Sequence, residues 1–333
     1  MVLVREMEEQ KMKLGRLKKK WRKFFSKNKG LKIFMLCILL ALLAILIIYG
    51  SIVWKFYSGV TDVVPEDQVD STVADVQIAQ KEQKEDEVIN VLLVGTDTRD
   101  PNADMGRSDT MMMLSYNKTQ NKSTIVSFLR DSLVDIDGHG KTRLGHAYAY
   151  GGVGLTINTL NKTYDLDIQK YATINFDNLV SVIDQIGGVE VFISEEEAAY
   201  YRQCGMPDIV SGDVTLTGSQ ALVHARNRTI GSDFERTRRQ RSVMYGVYRK
   251  VMAEKNPSAI MSLITYCMDY VKTNMTVTEI YDLAMEVLTT ENLMMQQAAI
   301  PQDGMYKGIS YQGMSVLEID LEANKEYLHG LLY

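Results

Sequence analysis

The chain has 333 residues, of which 46% are hydrophobic, so it is long enough for one large or two small domains and apolar enough to bury a core. The net charge of −5 is unevenly distributed, because residues 1–32 hold twelve Lys and Arg against three Glu, a local charge of +9, whereas the remainder carries −14. This composition excludes a wholly disordered chain, and the acidic body argues against nucleic-acid binding.

The basic residues 1–32 precede an apolar run. Residues 33–54 are 22 residues without a charge, and about 20 apolar residues suffice to cross a bilayer as a helix. The positive-inside rule then predicts a cytoplasmic tail over 1–32, and Trp54 fits an interfacial anchor. A cleaved signal peptide is the alternative, but its apolar core would be shorter and a small-residue cleavage site would follow. We therefore expect a single transmembrane helix, with the chain that follows it outside the cell.

Residues 55–87 are acidic and poor in large apolar side chains, which predicts an extracytoplasmic stalk before a globular domain over 88–333. Apolar runs between turn residues predict strands over 88–97, 110–117, 123–131, 171–176, 188–194 and 294–301, and a hairpin over 306–320. Helical spacing predicts helices over 152–164, 177–187, 217–226, 234–255, 257 to about 273, 276–288 and at the chain end, with Asp233 as an N-cap. This alternation predicts a mixed sheet with helices on both faces.

The stretch HARNRTIGSDFERTRRQR, residues 224–241, contains six arginines. The apolar stripe of helix 234–255 begins at Val243, and its backward projection places Arg236, Arg239 and Gln240 towards the protein. An inward arginine needs an anionic partner, and a helix N-terminus favours anions. We expect Arg226, Arg228 and Arg236, with Arg239 as a further candidate, to converge on a phosphate group. The alternative, a solvated basic helix, is preferred for Arg238 and Arg241.

Acidic residues lie at the facing ends of the first two predicted strands. Asp97 closes the first strand and Asp109 opens the second, while Arg107 shares a strand face with Asp109. Carboxylates of this kind are ligands that Mg²⁺ takes together with substrate phosphates. Arg130, at the end of the third strand, adds a cation, and its neighbour Asp131 would ligate or, preferably, hold Arg130. The set indicates phosphoryl transfer or pyrophosphate recognition, and the pyrophosphates available outside the cell are those of membrane lipid carriers.

Other catalytic patterns are missing from the sequence. It contains neither GxSxG nor HExxH, and the glycines of YAYGGVG lack the lysine and spacing of a phosphate-binding P-loop, so we expect them to bend the chain before a helix. Three cysteines make no metal-binding spacing, and the pairing of Cys204 with Cys267 is left open.

Seven segments, in this order, resemble the LytR-CpsA-Psr family of cell-wall glycopolymer ligases: LLVGTDTR, GRSDTMMMLS, SFLRDSLVDI, AYAYGG, INFDNLVSVIDQIGGVEV, LTGSQALVHARNR and DFERTRRQR. The resemblance implies a three-layer α/β/α sandwich around a mixed β-sheet. It also implies a Mg²⁺-dependent phosphotransferase that moves a teichoic acid, capsule or similar glycopolymer from a polyprenyl-pyrophosphate carrier onto peptidoglycan as a phosphodiester. The site would lie on the outer side of the cell membrane, in a Gram-positive-type envelope.

By the same resemblance, Asp97 and Asp109 hold the metal, and the catalytic residues are these two with Arg107, Arg226, Arg228 and Asp233. The pyrophosphate ligands would be Arg107, Arg130, Arg143, Arg226, Arg228, Arg236 and Gln240. Asp233 would be a base or would hold an arginine, and apolar residues around 153–186 would help to line a prenyl pocket. The chain departs from the family at Arg143 and Gly145, where Lys and Asn are usual, which puts contacts near 143–146 in question.

Two other functions fit the same residues. A non-enzymatic receptor for lipid-linked glycans, or an envelope regulator, would bind without turnover. A lipid-pyrophosphate hydrolase would release the glycan to water instead of transferring it.

Overall fold

A computed structural model of the chain describes residues 87–96, 108–254 and 256–333. The predicted cytoplasmic tail, transmembrane helix and nearly all of the stalk lie outside these ranges. Within them, no helix combines the length and apolar character that crossing a membrane requires.

In the described ranges, twelve strands form one six-stranded sheet and three two-stranded sheets. The strands are β1 Val88–Thr96, β2 Ser108–Asn117, β3 Lys122–Phe128, β4 Leu133–Ile136, β5 Gly140–Arg143, β6 Lys170–Asn175, β7 Val189–Ile193, β8 Gly212–Leu216, β9 Val271–Thr273, β10 Met294–Ile300, β11 Tyr306–Tyr311 and β12 Met314–Ile319. The large sheet has the order β10-β3-β2-β1-β6-β9, and its β1–β6 and β3–β10 pairs are parallel while the others are antiparallel. The predicted mixed sheet is therefore confirmed.

Eight helices lie in the described ranges: α1 His146–Tyr164, α2 Phe176–Gln185, α3 Glu195–Gln203, α4 Gly218–Arg226, α5 Asp233–Ala253, α6 Pro257–Met268, α7 Val277–Thr289 and α8 Leu321–Leu332. Helices α1 and α8 bury their apolar sides in one core with alternate residues of the sheet, such as Leu92 of β1 and Met113 of β2. A mixed α/β fold results.

A second core joins the elements that carry the arginine stretch. Ile183 of α2, Val191 of β7, Tyr201 of α3, Ala221 of α4 and Val243 of α5 belong to this apolar cluster. Helix α5 packs closely on β7, because a Cβ on Gly246 of α5 would lie 2.8 Å from the carbonyl oxygen of Glu190. The stripe that begins at Val243 thus faces the protein, as its spacing predicted.

Several boundaries differ from the prediction. Residues 188–194 form a strand, but it pairs with β8 outside the large sheet, and the helix predicted up to about 273 ends at Met268 before β9. The helix predicted from 152 is preceded by a further helical turn from His146, but Gly151 and Gly152 have non-helical φ and ψ and bend the chain before the longer part, as predicted. The hairpin β4–β5, helix α3 and strand β8 were not predicted, since they are short and weakly periodic.

Candidate active site

A cavity of about 690 Å³ lies where α4 ends, α5 begins and the chain leaves β3. Its lining consists of Arg130, Phe176, Tyr200, Cys204, Leu222, Val223, Arg226, Asn227, Arg228, Thr229, Arg236 and Gln240. Four of these twelve residues are arginines, and none of them is acidic. The cavity wall formed by this part of the chain therefore favours an anion with a partly apolar body.

Arg130 reaches the cavity because β3 ends at Phe128 and the chain turns there. The carbonyl oxygen of Arg130 accepts a hydrogen bond from the backbone N–H of Gly145 at 2.8 Å, which ties the turn to the start of α1. A Cβ at Gly145 would lie 3.0 Å from the Cβ of Arg130, so an asparagine in this position would press against the turn. The glycine here therefore matches a close approach of the two segments.

Arg226 and Arg228 project from the end of α4 and the segment that follows it. Helix α4 begins with a capping box between Thr217 and Gln220, which fixes its register. The guanidinium carbon of Arg226 lies 4.6 Å from the centre of the Phe176 ring, a cation–π contact that braces the side chain from α2. The two arginines thereby present cations from a packed helix end.

Arg236 lies at the first turn of α5 and is 2% exposed. Its two terminal nitrogens contact the two carboxylate oxygens of Asp233, Nη1 to Oδ1 at 2.6 Å and Nη2 to Oδ2 at 3.1 Å. The prediction of Asp233 as N-cap is wrong by one residue, because Ser232 takes that position and Asp233 is the first helical residue. Gln240, one turn further along α5, also lines the cavity.

The remaining arginines of α5 differ in burial, because they lie on different faces of the helix. Arg239, a candidate for the phosphate cluster, is instead fully buried and ion-paired with Glu197 at 3.2 Å. Arg238 is 48% exposed, as predicted. Arg241 contradicts the prediction of a solvated side chain: it is buried, and its Nε and Nη1 have no hydrogen-bond partner. Burial, with the nearby charge of Arg238, lowers the pKa of Arg241 to about 10.

Arg143 stands at the end of β5 and is not among the residues of the cavity wall. Its Nη2 donates to the carbonyl oxygen of Ser315 at 2.7 Å, and its Nε lies 3.4 Å from Asp131. Asp131 thus lies between two arginines, since its carboxylate is also 3.9 Å from Arg130. This arrangement agrees with the expectation that Asp131 holds Arg130.

Most of the predicted metal site falls outside the described residues. Asp97 and Arg107 lie outside the described residues, and of Asp109 only the backbone is described. The register of β1 with β2 shifts between Gly95 and Thr96, whose partners are Thr110 and Ser108, so Asp109 is the extra residue of a β-bulge. Elsewhere in the described ranges, no three His, Cys, Asp or Glu side chains cluster as a metal site would require.

Sequence reasoning missed several residues of the cavity wall. Tyr200 comes from the unpredicted helix α3, and its hydroxyl lies 3.0 Å from that of Thr229. Phe176 could have been found, because an aromatic residue at the start of a helix that follows a strand lies near the same sheet end as Arg130. Cys204 lines the cavity as a free thiol and Cys267 is also free, so the possible pair does not form. Burial raises the pKa of Cys267 to about 11.

The apolar residues around 153–186, expected near a prenyl chain, divide into two groups. Those of α1, such as Leu155, Ile157 and Leu160, are buried in the core against the large sheet. In α2, Val182 and Ile183 are buried, Leu179 and Val180 are half-buried, and Phe176 reaches the cavity wall.

The fold and cavity define an α/β domain with an arginine-lined anion site. The model of the LytR_cpsA_psr family matches residues 54–327, and the chain belongs to this family. It is 31% identical over 299 residues to the polyisoprenyl-teichoic acid–peptidoglycan teichoic acid transferase TagU of Enterococcus faecalis, covering 88% of this chain and 95% of that protein.

Solved structures show the same fold. TagT bound to LIIa-WTA matches with a TM-score of 0.63 at 23% identity, over 76% of this chain and 94% of that one. The LytR-CPS2A-psr family protein YwtF (TagT) with bound octaprenyl pyrophosphate lipid matches with a TM-score of 0.57 at 23% identity and the same coverage.

Proposed function

We propose that this chain is a membrane-anchored phosphotransferase, which moves a glycopolymer from a polyprenyl-pyrophosphate carrier onto peptidoglycan. The observation that carries the proposal is the convergence of Arg130, Arg226, Arg228 and Arg236 on one cavity whose described wall has no acidic residue. Membership in the family and the similarity to the teichoic acid transferase TagU support the same reaction. The octaprenyl pyrophosphate bound by a structural relative supports the class of donor.

In the proposed reaction, a peptidoglycan hydroxyl oxygen attacks the phosphorus that carries the glycan. The new P–O bond forms as the P–O–P bridge breaks, so the polyprenyl phosphate leaves with the bridging oxygen, and the hydroxyl proton passes to that phosphate or to water. Arginines suit this step because planar guanidinium groups bind phosphate oxygens in a bidentate manner. Charge that develops on the leaving phosphate would meet fixed cations from α4 and α5 rather than reorganising water.

Asp233 is an arginine-holder in this scheme. Its carboxylate engages Arg236 through both oxygens, which fixes the guanidinium at the cavity and neutralises one of the four positive charges. Arg143 would serve the acceptor side or the β4–β5 hairpin, because its guanidinium engages Ser315 and Asp131.

Asp97 and Asp109 are proposed as the ligands of Mg²⁺. The backbone position of Asp109, the bulge residue of β2 beside the end of β1, supports this proposal, and Asp97 follows directly after that end in the sequence. A bound Mg²⁺ would neutralise phosphate charge. Arg107 precedes the bulge by two residues and is proposed as a pyrophosphate ligand.

The proposed location is the outer face of the cell membrane. Residues 33–54 would form the single transmembrane helix, residues 1–32 the cytoplasmic tail, and 88–333 the catalytic domain on an acidic stalk. A topology reporter fused at Tyr333 is expected to be active outside the cell, and a cytoplasmic reporter signal would contradict this arrangement.

The test uses the full chain in detergent micelles, a polyprenyl-pyrophosphate oligosaccharide and uncrosslinked peptidoglycan chains, with Mg²⁺ or with a chelator. We expect a phosphodiester product that needs Mg²⁺ and falls by about 100-fold or more in Arg226→Ala. Arg249→Ala is the matched control, since Arg249 lies on α5 but forms an exposed ion pair with Glu190 away from the cavity wall.

Other products would identify the alternatives. Free glycan phosphate in place of the phosphodiester would indicate a hydrolase. Binding of the lipid without any product, for each glycan tried, would indicate a receptor. Equal loss of product in Arg226→Ala and Arg249→Ala would contradict the assigned cavity.

A further inference from the structure

Polar side chains inside the protein hold the segment that carries Arg226 and Arg228. Asn227 separates Arg226 from Arg228 and is 6% exposed. Its Oδ1 accepts from the backbone N–H of Thr229 at 2.8 Å and from that of Ile230 at 3.4 Å, so the side chain organises the turn that follows α4. The position of Asn227 therefore determines from where both arginines enter the cavity.

Arg239 holds the main chain of this segment. Its Nη2 donates to the carbonyl oxygens of Asn227 at 2.8 Å and Ile230 at 2.9 Å, while its Nη1 donates to Oε1 of Glu197 at 3.2 Å. Glu197 is also buried, and its Oε2 accepts from the backbone N–H of Ser194 in the capping box of α3. The charge of Arg239 is thus compensated inside the protein. Its guanidinium binds the main chain of this segment and does not face the cavity.

A second chain of hydrogen bonds reaches the side chain of Asn227. The hydroxyl of Ser242 donates to the carbonyl oxygen of Arg239 at 2.7 Å, so its oxygen accepts from Nε2–H of His224 at 3.3 Å. Burial lowers the pKa of His224 to about 4, so the ring is neutral at pH 7. With the proton on Nε2, Nδ1 accepts from the hydroxyl of Tyr201 at 2.9 Å, whose oxygen accepts from Nδ2 of Asn227 at 3.4 Å. In this arrangement His224 is neutral and carries its proton on Nε2.

We name these five residues, Glu197, Tyr201, His224, Arg239 and Ser242, the buried cradle. All of them belong to α3, α4 or α5, so the cradle ties the segment to three helices of one core. We propose that the buried cradle is a positioning device, which fixes Arg226 and Arg228 at the geometry needed to bind the pyrophosphate. The inference rests on the proposed function, because the ligand of the cavity is taken from it.

The test compares Arg239→Lys with Arg238→Lys in the full chain. Lysine at 239 keeps a charge for Glu197 but cannot bridge both carbonyl oxygens, since it lacks the planar fork. The control removes the same group from the neighbouring arginine, whose Nη2 lies 3.7 Å from the same Glu197 but which is half exposed. Farnesyl pyrophosphate is the probe, its affinity is measured by calorimetry, and amide hydrogen exchange reports on residues 228–230.

We expect Arg239→Lys to weaken binding of the probe by about tenfold or more, because small displacements of positioned groups are costly. The amides of residues 228–230 should exchange faster, while those of β7 and of the second half of α5 keep their rates. Arg238→Lys should change the affinity by no more than about twofold, as expected of an exposed ion pair.

A double-mutant comparison separates positioning from a general loss of stability. If Arg239 acts through Arg228, the effect of Arg239→Lys should shrink in an Arg228→Ala background. An undiminished effect in that background, or wild-type affinity and exchange in Arg239→Lys, would overturn the inference. If Arg239→Lys does not fold, Tyr201→Phe replaces it, since this change removes only the hydroxyl; a loss of about threefold is then expected, and unchanged affinity and exchange would overturn the inference.

Failure of the proposed function would look different. A wild-type chain that does not bind farnesyl pyrophosphate would contradict the pyrophosphate site itself. The exchange comparison at residues 228–230 would still decide whether the cradle holds the segment.

Discussion

At the residue scale, the contacts of Asp233 decide whether it is a catalytic base or holds an arginine. As a base it would need a free oxygen directed at the acceptor hydroxyl, but both of its oxygens contact the guanidinium of Arg236. Arg236 is almost fully buried, so the ion pair decides where its charge points into the cavity.

We therefore predict that Asp233→Asn weakens binding of a prenyl pyrophosphate by about three- to tenfold, because the amide can satisfy only one side of the guanidinium fork. The pH–rate profile of transfer should keep its acidic limb, since Asp233 is not the base in this assignment. Calorimetry and initial rates between pH 5 and 8 provide the measurement, and disappearance of the acidic limb with unaltered affinity would assign Asp233 as the base.

At the scale of elements, the position of α4 depends on a close contact with α2. Gly218 is the first residue of α4, and its backbone N–H donates to Oδ1 of Asp184 at 2.7 Å. A Cβ in this position would lie 2.2 Å from the carbonyl oxygen of Val180, which is backbone and cannot rotate away. Because α4 ends in Arg226, this contact fixes the position of Arg226 relative to the Phe176 ring.

Gly218→Ala is predicted to lower the free energy of unfolding by about 1–3 kcal/mol, through the forced separation of the two helices. Gly330→Ala is the matched control, because α8 leaves open space around Gly330 and alanine favours a helix by up to about 1 kcal/mol. Thermal unfolding of both variants gives the comparison. Equal melting temperatures of the two variants would mean that α4 can move away from α2 without loss of stability.

At the scale of the whole molecule, the buried cradle makes stability depend on pH. Burial lowers the pKa of His224 from 6.5 to about 4, against the opposing effect of the Glu197 carboxylate. Burial acts to raise the pKa of Glu197, but the Ser194 N–H and the neighbouring cations outweigh it and the pKa is lowered. Between pH 6.5 and 4 the unfolded chain therefore binds a proton at His224 that the folded chain does not.

The free energy of unfolding is thus predicted to fall as the pH is lowered from about 6.5 to 4, by up to about 3 kcal/mol from His224. The contribution of Glu197 is present above its ordinary pKa and declines at still lower pH, in the same direction. Melting temperatures of the full chain in detergent should show a shallower acid slope in His224→Gln than in the control His139→Gln, whose histidine is exposed. Parallel slopes would show that another group controls the acid response.

The amino-acid sequence by itself determined most strands of the large sheet and the inward side of α5. Hydrophobic periodicity is a local property, so the stripe from Val243 could be projected onto Arg236 and Gln240, and both residues line the cavity. Strands such as β1 and β3 could also be predicted from the sequence, because buried strands give continuous apolar runs.

Only the tertiary structure decided what each arginine contacts. Arg236 and Arg239 lie on neighbouring positions of the same helix side, yet one faces the cavity and the other is satisfied internally. The difference is Glu197, which lies 42 residues earlier on the unpredicted helix α3 and reaches Arg239 because that helix packs beside α5. A buried cation takes whichever partner the packing supplies, and packing between distant segments leaves no periodic trace in the sequence.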